Sequence, residues 1–591
     1  GNKFAVTGLA RDYYRRIGSR YGVFEKWTFE PSVARSIFED YIKAVKLNVW
    51  YQSVLKKVVK NGTVIRSLEI QTPSGIKIVR GKQFIDCTYE GDLMAMAGVS
   101  YTVGRESNQT YGETWNGVQL LDKHQFPDFV DPYRVKGNSS SGLLWGISPQ
   151  PLAAKGSGDS HTQAYNFRIC LTDSIENQIP ITRPLGYDST QFELLLRYIE
   201  VKKPHELNWL LMHLQPMPHR KTDINNSGPF STDMIGESDD FAEASPEKRK
   251  EIFLKHQRYN QSFLYFLGHD PRVTIHLRKE MLTYGYPKDE YINNGNWSPQ
   301  MYVREARRMI GEEVMTQAHC EGKTIAKNPI GMAAYTMDSH NCQRLVVKIN
   351  GVDMVKNEGD VQAGGFGPYP IGYGALVPKR AECTNLIVPV CLSASHIAYG
   401  SIRMEPVFMV LGQTAAVAAV QAIKNTGAVQ EVKVSDIQQI LNQNPLLDGS
   451  KPEILVDDAQ MSQVTKSGNW TKEMNKKGCY GSSLLLTNPT NNEDSKVVFK
   501  SPDHLSGKYT LYFYLPNLEN NSTIFNWDIK EGSKKSAIQI KLDGSKSNLK
   551  GEWVLLGNFN FKSQVKPEVV LYTKGANGLV PADAILWVPI K

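Results

Sequence analysis

Residues 385–413, NLIVPVCLSASHIAYGSIRMEPVFMVLGQ, constrain the fold more than any other stretch of this chain. The apolar run 386–390 predicts a buried strand, and the small and polar residues after it predict a loop. Residues 405–423 predict a helix that is apolar nearly all round, and a helix of that kind is buried. Its unpaired amides and positive dipole end then point at whatever the loop holds. That arrangement suits an anion, or a group that becomes anionic during a reaction. The alternative is a plain core helix whose loop only turns the chain.

With 591 residues the chain is long enough for more than one domain. Its net charge of +8 is spread along the sequence with no basic block interleaved with aromatics, which argues against nucleic acid as a partner. No run of about 18 apolar residues suggests a membrane span. The opening residues Gly1-Asn2-Lys3 carry no signal-peptide pattern. The seven cysteines form no C-x-x-C pair, so zinc and iron–sulfur ligation are unsupported and buried thiols are expected, with room for a single disulfide.

Along the first hundred residues, 7–22 predict a helix and Pro31 opens a second, with Val33, Ile37, Phe38 and Tyr41 as its stripe. Residues 47–51 predict a strand. Residues 54–60, 63–71 and 76–80 predict a meander whose first turn is Asn61-Gly62. A further strand at 83–87 leads into an acidic glycine loop ending at Asp92. The middle of the chain predicts helices at 192–201, 246–267 and 299–313 but yields no topology. A polar helix at 434–442 closes this part. From residue 453 the texture changes to short alternating strands at 496–500, 508–514, 537–542, 552–558 and 568–572, the pattern of a β-sandwich, with the boundary near residue 450. No G-x-G-x-x-G turn follows a strand anywhere; Gly364-Gly365-Phe366-Gly367 has the wrong spacing and is blocked by Pro368 and Pro370.

Several runs resemble the FAD-dependent oxidoreductase family, some of whose members carry a xanthan lyase name: 84–92, 163–168, 302–308, 338–340, 369–378 and, above all, 391–413. The tail resembles the golvesin or xanthan-lyase C-terminal domain through residues 456–458, 468–470, 551–557 and 582–585. The resemblance implies an α/β flavoprotein with a glutathione-reductase-like FAD-binding domain and an inserted α+β substrate region, followed by a C-terminal all-β sandwich. Residues 1–450 would form the oxidoreductase part, with 1–100 and 375–430 facing the cofactor and 100–375 the substrate, and residues 451–591 the sandwich. Such a family chain begins earlier, with a glycine-rich pyrophosphate loop. The sequence also departs from many relatives at Gly374 and Val390, where they carry arginine. FAD is the implied cofactor, and one that this chain, without that loop, can lack. The resemblance also places the protein in the periplasm or outside the cell.

Within that frame the cofactor-binding candidates are Asp86, Thr88, Glu90, Gly91 and Asp92 at the first strand end, and Gly400, Ser401, Arg403, Met404, Gly412 and Gln413 on the loop and helix. Arg403 and the helix end would stabilise charge on the reduced ring. Glu90 or Asp92 can equally cap the next helix. His340 and His396 are candidate proton acceptors for alcohol oxidation, and either can instead be a structural hydrogen-bonder. Arg304, Asp338 and Tyr373 are the substrate candidates, an arginine suiting an acidic sugar such as a uronate; Arg304, Arg307 and Arg308 can also pair with Glu305 or Glu312. Trp470, Trp527, Trp553 and Trp587 are sandwich core or sugar platforms. The expected function is hydride transfer from a carbohydrate-related small molecule to FAD. The competing reading is a polysaccharide-binding or polysaccharide-cleaving protein on a degenerate, cofactor-free scaffold. No metal is expected.

Overall fold

The Asn61-Gly62 turn does what its chemistry demands. Strand Val54–Asn61 folds back antiparallel on Val64–Thr72, with Gly62 at φ 58°, and Val64–Thr72 pairs in turn with Gly75–Val79. These strands belong to a computed structural model that describes residues 2–474, 476, 478–488, 495–542, 549–562 and 566–590. The chain divides into two units, Trp27–Val434 and the pair of segments Gly1–Lys26 with Ser435–Lys591.

In the first of these, Leu386–Ile387 pairs in parallel with Phe84–Ile85, as a doubly wound arrangement requires. The amides of Phe84 and Asp86 donate to the carbonyls of Asn385 and Ile387, each at 2.9 Å. Phe84, Leu386, Val388 and Cys391 join Leu68 and Met94 in one buried cluster beneath the meander. The strand expected at 47–51 does not form, and Leu47, Trp50 and Tyr51 are exposed. A strand needs a neighbour for its amides and carbonyls, and none of the described strands pairs with this segment.

The inserted region centres on a five-stranded antiparallel sheet in the order Met212–Met217, Lys221–Asn226, Ile169–Thr172, Gly285–Pro287, Gln178–Pro180. Helix Pro246–His269 starts on a Ser245 cap and shares a core with this sheet through Phe263, Leu267, Leu171 and Ile224. The helix expected at 299–313 is absent. Every residue of 303–309 is buried there, whereas a surface helix keeps one face wet. The segment runs extended through the interior, bridging Asn166 at Tyr302 and Tyr101–Thr102 at Arg308–Met309.

The other unit is the β-sandwich. One sheet orders Ile454–Asp457, Ala584–Pro589, Ser506–Leu515 and Glu552–Lys562; the other orders Val464–Ser467, Lys496–Lys500, Glu568–Tyr572, Ile524–Glu531 and Lys534–Lys541. Trp470, Trp527, Trp553 and Trp587 are all buried, so none of them is a surface platform for sugar. The first 26 residues, expected with the cofactor part, pack here. Lys3 Nζ donates to the Gly551 carbonyl (2.7 Å), Arg11 donates to Glu25 (3.1 Å) and to the Tyr480 hydroxyl (3.0 Å), and Phe24 stacks on Tyr512 at 4.1 Å. Amphipathicity predicts helix Gly8–Arg20 but does not name the surface that receives it. All seven cysteines are free thiols.

Candidate functional site

Residues 388–403 are buried throughout. The stretch expected to be loop contains a short helix, His396–Ile402, which Ser395 caps by accepting from the Ala398 amide. Helix Glu405–Gln421 follows after two residues and carries Pro406 in its first turn. It is long and apolar enough to pass for a membrane span by composition, yet most of it is packed inside the unit as expected for a core helix. Gly400 lets the short helix press against strand Met337–Ser339: a Cβ there would lie 2.6 Å from the Asp338 carbonyl oxygen. The close approach that Gly400 permits is therefore to Asp338.

That contact organises a charged cluster. Arg403 Nη2 donates to the Asp338 carbonyl (3.1 Å) and lies 3.5 Å from its carboxylate. Asp338 Oδ2 is 3.8 Å from His340 Nε2, and His340 Nδ1 is 2.7 Å from Asp233 Oδ2. Asp233 Oδ1 pairs with Arg304 Nη2 at 3.0 Å. Arg304, Asp338, His340 and Arg403, singled out separately from the sequence, thus meet in one chain of polar contacts that runs through Asp233. Burial pulls the Arg304 guanidinium below its ordinary value, with Asp233 opposing and Arg403 reinforcing the fall. Burial works against Arg403 as well, but Tyr302, Asp338 and Glu405 outweigh it and hold Arg403 above its ordinary value. Burial likewise opposes the charge of Asp233, and Arg304 and His340 overcome it to hold that carboxyl low.

Beside the cluster lies a cavity of about 360 Å³, within the range of small-molecule sites (about 300–1,000 Å³). Tyr302, Tyr89 and Tyr291 give it aromatic walls, and Arg168, Asp223, Gln300 and Glu405 give it polar ones. The Arg304 guanidinium sits 5.0 Å from the centre of the Tyr302 ring, which also lines the cavity. Glu405, at the start of the core helix, lines the same cavity.

The other expected residues go elsewhere. His396 is 2% exposed, with Nδ1 at 2.8 Å from Glu305 and Nε2 at 3.0 Å from Ser339 Oγ. Burial, then Arg308 and Arg105, push it down to about 3, which favours the neutral ring. Arg308 is bound to Glu305, as ion pairing within its own segment predicts, and also to the distant Glu106. Ser401 Oγ donates to the Tyr335 carbonyl and accepts from the Tyr369 hydroxyl. The Tyr373 hydroxyl donates to the Val429 carbonyl at 2.8 Å, away from the cluster. Met404 caps the core helix without a side-chain bond; Gln413 is buried, while Gly412 faces open space. Asp92 binds Arg249 and Arg307 and makes no side-chain cap. Burial raises the Glu90 carboxyl. Asp233, Tyr302, Arg168 and Asp223 escaped residue-by-residue reading; the runs 163–168 and 302–308 contain two of them, whereas Asp233, between Thr232 and Met234, carries no local signal.

Neither of the two stretches expected to hold FAD offers a pyrophosphate cradle among the described residues. A pyrophosphate needs free backbone amides and close backbone approach at a glycine turn. The amides of Thr88 and Met94 donate to Asp86, that of Gly91 donates to Thr88 Oγ1, and a Cβ on Gly91 would meet Met94 and Cys391. At the core helix the amides of Met404, Val407 and Phe408 are bonded to the Ile402 and Met404 carbonyls, Pro406 has none, and Glu405 adds negative charge.

A search of curated proteins found no match. Among solved structures, a Paenibacillus xanthan lyase is 26% identical over 24% of this chain at a TM-score of 0.22, and the chain spans only 13% of that protein's length. The C-terminal CBM6 of LamC from Zobellia galactanivorans is 11% identical, with 23% of this chain and 99% of that one covered at a TM-score of 0.17. The CBM22-1 xylan-binding domain of Paenibacillus barcinonensis Xyn10C is also 11% identical, covering 24% and 95% at 0.17. A model of the Golvesin C-terminal domain matches residues 454–588, and a model of the FAD dependent oxidoreductase family matches residues 1–441. The chain therefore belongs to the FAD dependent oxidoreductase family.

Proposed function

We propose that this chain acts as an oxidoreductase on a carbohydrate-related alcohol, bound in the cavity beside Tyr302, with His340 taking the hydroxyl proton. The convergence of Arg304, Asp338, His340 and Arg403 beside an aromatic and polar cavity carries this reading. Tyrosine faces suit the apolar side of a sugar ring, and arginine, carboxylate and amide groups suit its hydroxyls. Asp233 accepts from His340 Nδ1 and leaves Nε2 as the basic atom. The hydride acceptor would be the family's FAD, held by groups other than the acidic loop and the start of the core helix.

The test uses the freshly purified chain, its flavin absorbance spectrum, and dye reduction with a panel of neutral and acidic sugars. Flavin absorbance, native or after reconstitution, and sugar-dependent dye reduction lost in His340→Ala are expected. A colourless protein that cannot take up FAD, or full activity in His340→Ala, would sink the reading.

One observation favours the competing reading of a cofactor-free saccharide-binding or polysaccharide-cleaving protein: the donors of the acidic loop are already used internally. It predicts a rise in absorbance from unsaturated product, or saturable sugar binding, in the absence of FAD.

A further inference from the structure

Three carboxylates converge where the sandwich begins and ends. Asp457 closes strand Ile454–Asp457, Asp458 follows it, and Asp583 lies between strands Val580–Ala582 and Ala584–Pro589. The Asp458 amide donates to the Asp583 carbonyl at 2.8 Å, so first and last strands bring these side chains together. One ligand oxygen from each lies within 4.8 Å of the others.

The pattern of bonding is the informative part. Each carboxylate gives one oxygen to the protein: Asp457 Oδ1 accepts from the Ala459 amide (3.1 Å), Asp458 Oδ2 from Ser483 Oγ (2.8 Å) and Asp583 Oδ2 from the Tyr480 amide (2.9 Å). The second oxygen of each, Asp457 Oδ2, Asp458 Oδ1 and Asp583 Oδ1, is buried with no hydrogen-bond partner among the described residues. Asp458 and Asp583 are 4% and 2% exposed. Buried carboxylate oxygens left this way are costly unless a cation faces them.

The same molecule shows what such a triad requires. Glu30, Asp289 and Glu290 also converge, and there the ammonium of Lys221 sits 2.6, 2.8 and 2.8 Å from the three in turn. At the sandwich triad the nearest described ammonium is that of Lys472, 3.8 Å from Asp458 Oδ2, and that side chain is 38% exposed.

We propose that Asp457, Asp458 and Asp583 bind a divalent cation of the calcium class. Calcium takes six to eight oxygens at about 2.3–2.6 Å in flexible geometry, so two of its ligands can stand about 5 Å apart; magnesium at about 2.0–2.1 Å draws its ligands closer and demands a near-ideal octahedron. The ion would tie the first strand of the sandwich to the last. Residues 456–458 and 582–585, singled out in the sequence and unused by the oxidoreductase reading, acquire a role.

The experiment takes the full chain stripped with EDTA, titrates it calorimetrically with calcium chloride and in parallel with magnesium chloride, and records thermal unfolding with each. Saturable calcium binding and a rise in melting temperature of roughly 5 °C at 100-fold excess over the dissociation constant are expected. Asp583→Asn and, separately, Asp458→Asn lose both responses while the metal-free protein keeps or gains stability, because one repelling charge is gone. Should either variant fail to fold, the wild-type titration and the other variant still decide. Absence of saturable calcium heat at 1 mM, an equal response to magnesium, or an undiminished shift in a folded variant would overturn the assignment.

Discussion

His340 Nδ1 lies 2.7 Å from Asp233 Oδ2, and that contact holds the orientation of the ring. A carboxylate only accepts, so bonding assigns the proton to Nδ1 and leaves Nε2 toward Asp338. Asp233→Asn is expected to lower turnover by about 10²- to 10⁴-fold, through loss of the ring's orientation and of its charge partner. It also leaves Arg304 unpaired, which costs about 3–5 kcal/mol. Turnover per folded molecule, measured beside the melting temperature, separates the two effects.

Gly400→Ala forces a Cβ to within 2.6 Å of the Asp338 carbonyl oxygen. The expected loss is about 1–3 kcal/mol, the usual range for overpacking. Because Asp338 must move, Arg403 and His340 lose register, and activity should fall further than stability alone explains. Chemical denaturation together with steady-state kinetics checks this.

Acid should destabilise the oxidoreductase unit before its carboxylates titrate. Burial, then Arg308, hold His396 down to about 3, and burial, against a bond to the Ile252 carbonyl, holds His256 down to about 4. A group whose folded value is depressed takes up its proton on unfolding. Its stabilisation is complete above about pH 6.5 and is lost as pH falls through the folded value. Each histidine adds a slope of about 1.4 kcal/mol per pH unit in that window. Melting temperatures from pH 8 to 4 should decline below pH 6.5, and His256→Phe should flatten the decline.

Lys221→Met removes the ammonium at the centre of Glu30, Asp289 and Glu290. Burial opposes that charge, but the bonds to Asp289, Glu290 and Glu30 hold the ammonium above the ordinary lysine value. Its contribution is present below the free lysine value and lost as pH rises through the folded one. The substitution should cost about 3–5 kcal/mol at pH 7 and respond to added salt, read by urea titration.

Local chemistry made much of this fold legible. Asn61-Gly62 placed the meander within a residue of its ends, and Pro246 after Ser245 marked the start of the longest helix. The core helix at Glu405–Gln421 followed from an apolar composition that no solvated face could satisfy. The strand at Lys496–Lys500 followed from alternation. What stayed hidden depends on distant partners. Residues 299–313 have helical spacing, but Arg304, Arg307 and Arg308 each answer to a carboxylate far away or across the extended chain, namely Asp233, Asp92 and Glu106. Asp233 has no local pattern because its role exists only once His340 and Arg304 arrive.

The attachment of the first 26 residues to the tail sets an order of assembly. Lys3 and Glu552 are 549 positions apart in the chain and 3.1 Å apart in space. During synthesis helix Gly8–Arg20 emerges long before its seat exists, since Arg11 precedes Tyr480 by 469 positions. The region between can meanwhile collapse on its own contacts. Proteins cut short near residue 450 would strand Phe24 and Arg11 in water, and their aggregation would report the missing seat rather than a damaged catalytic centre.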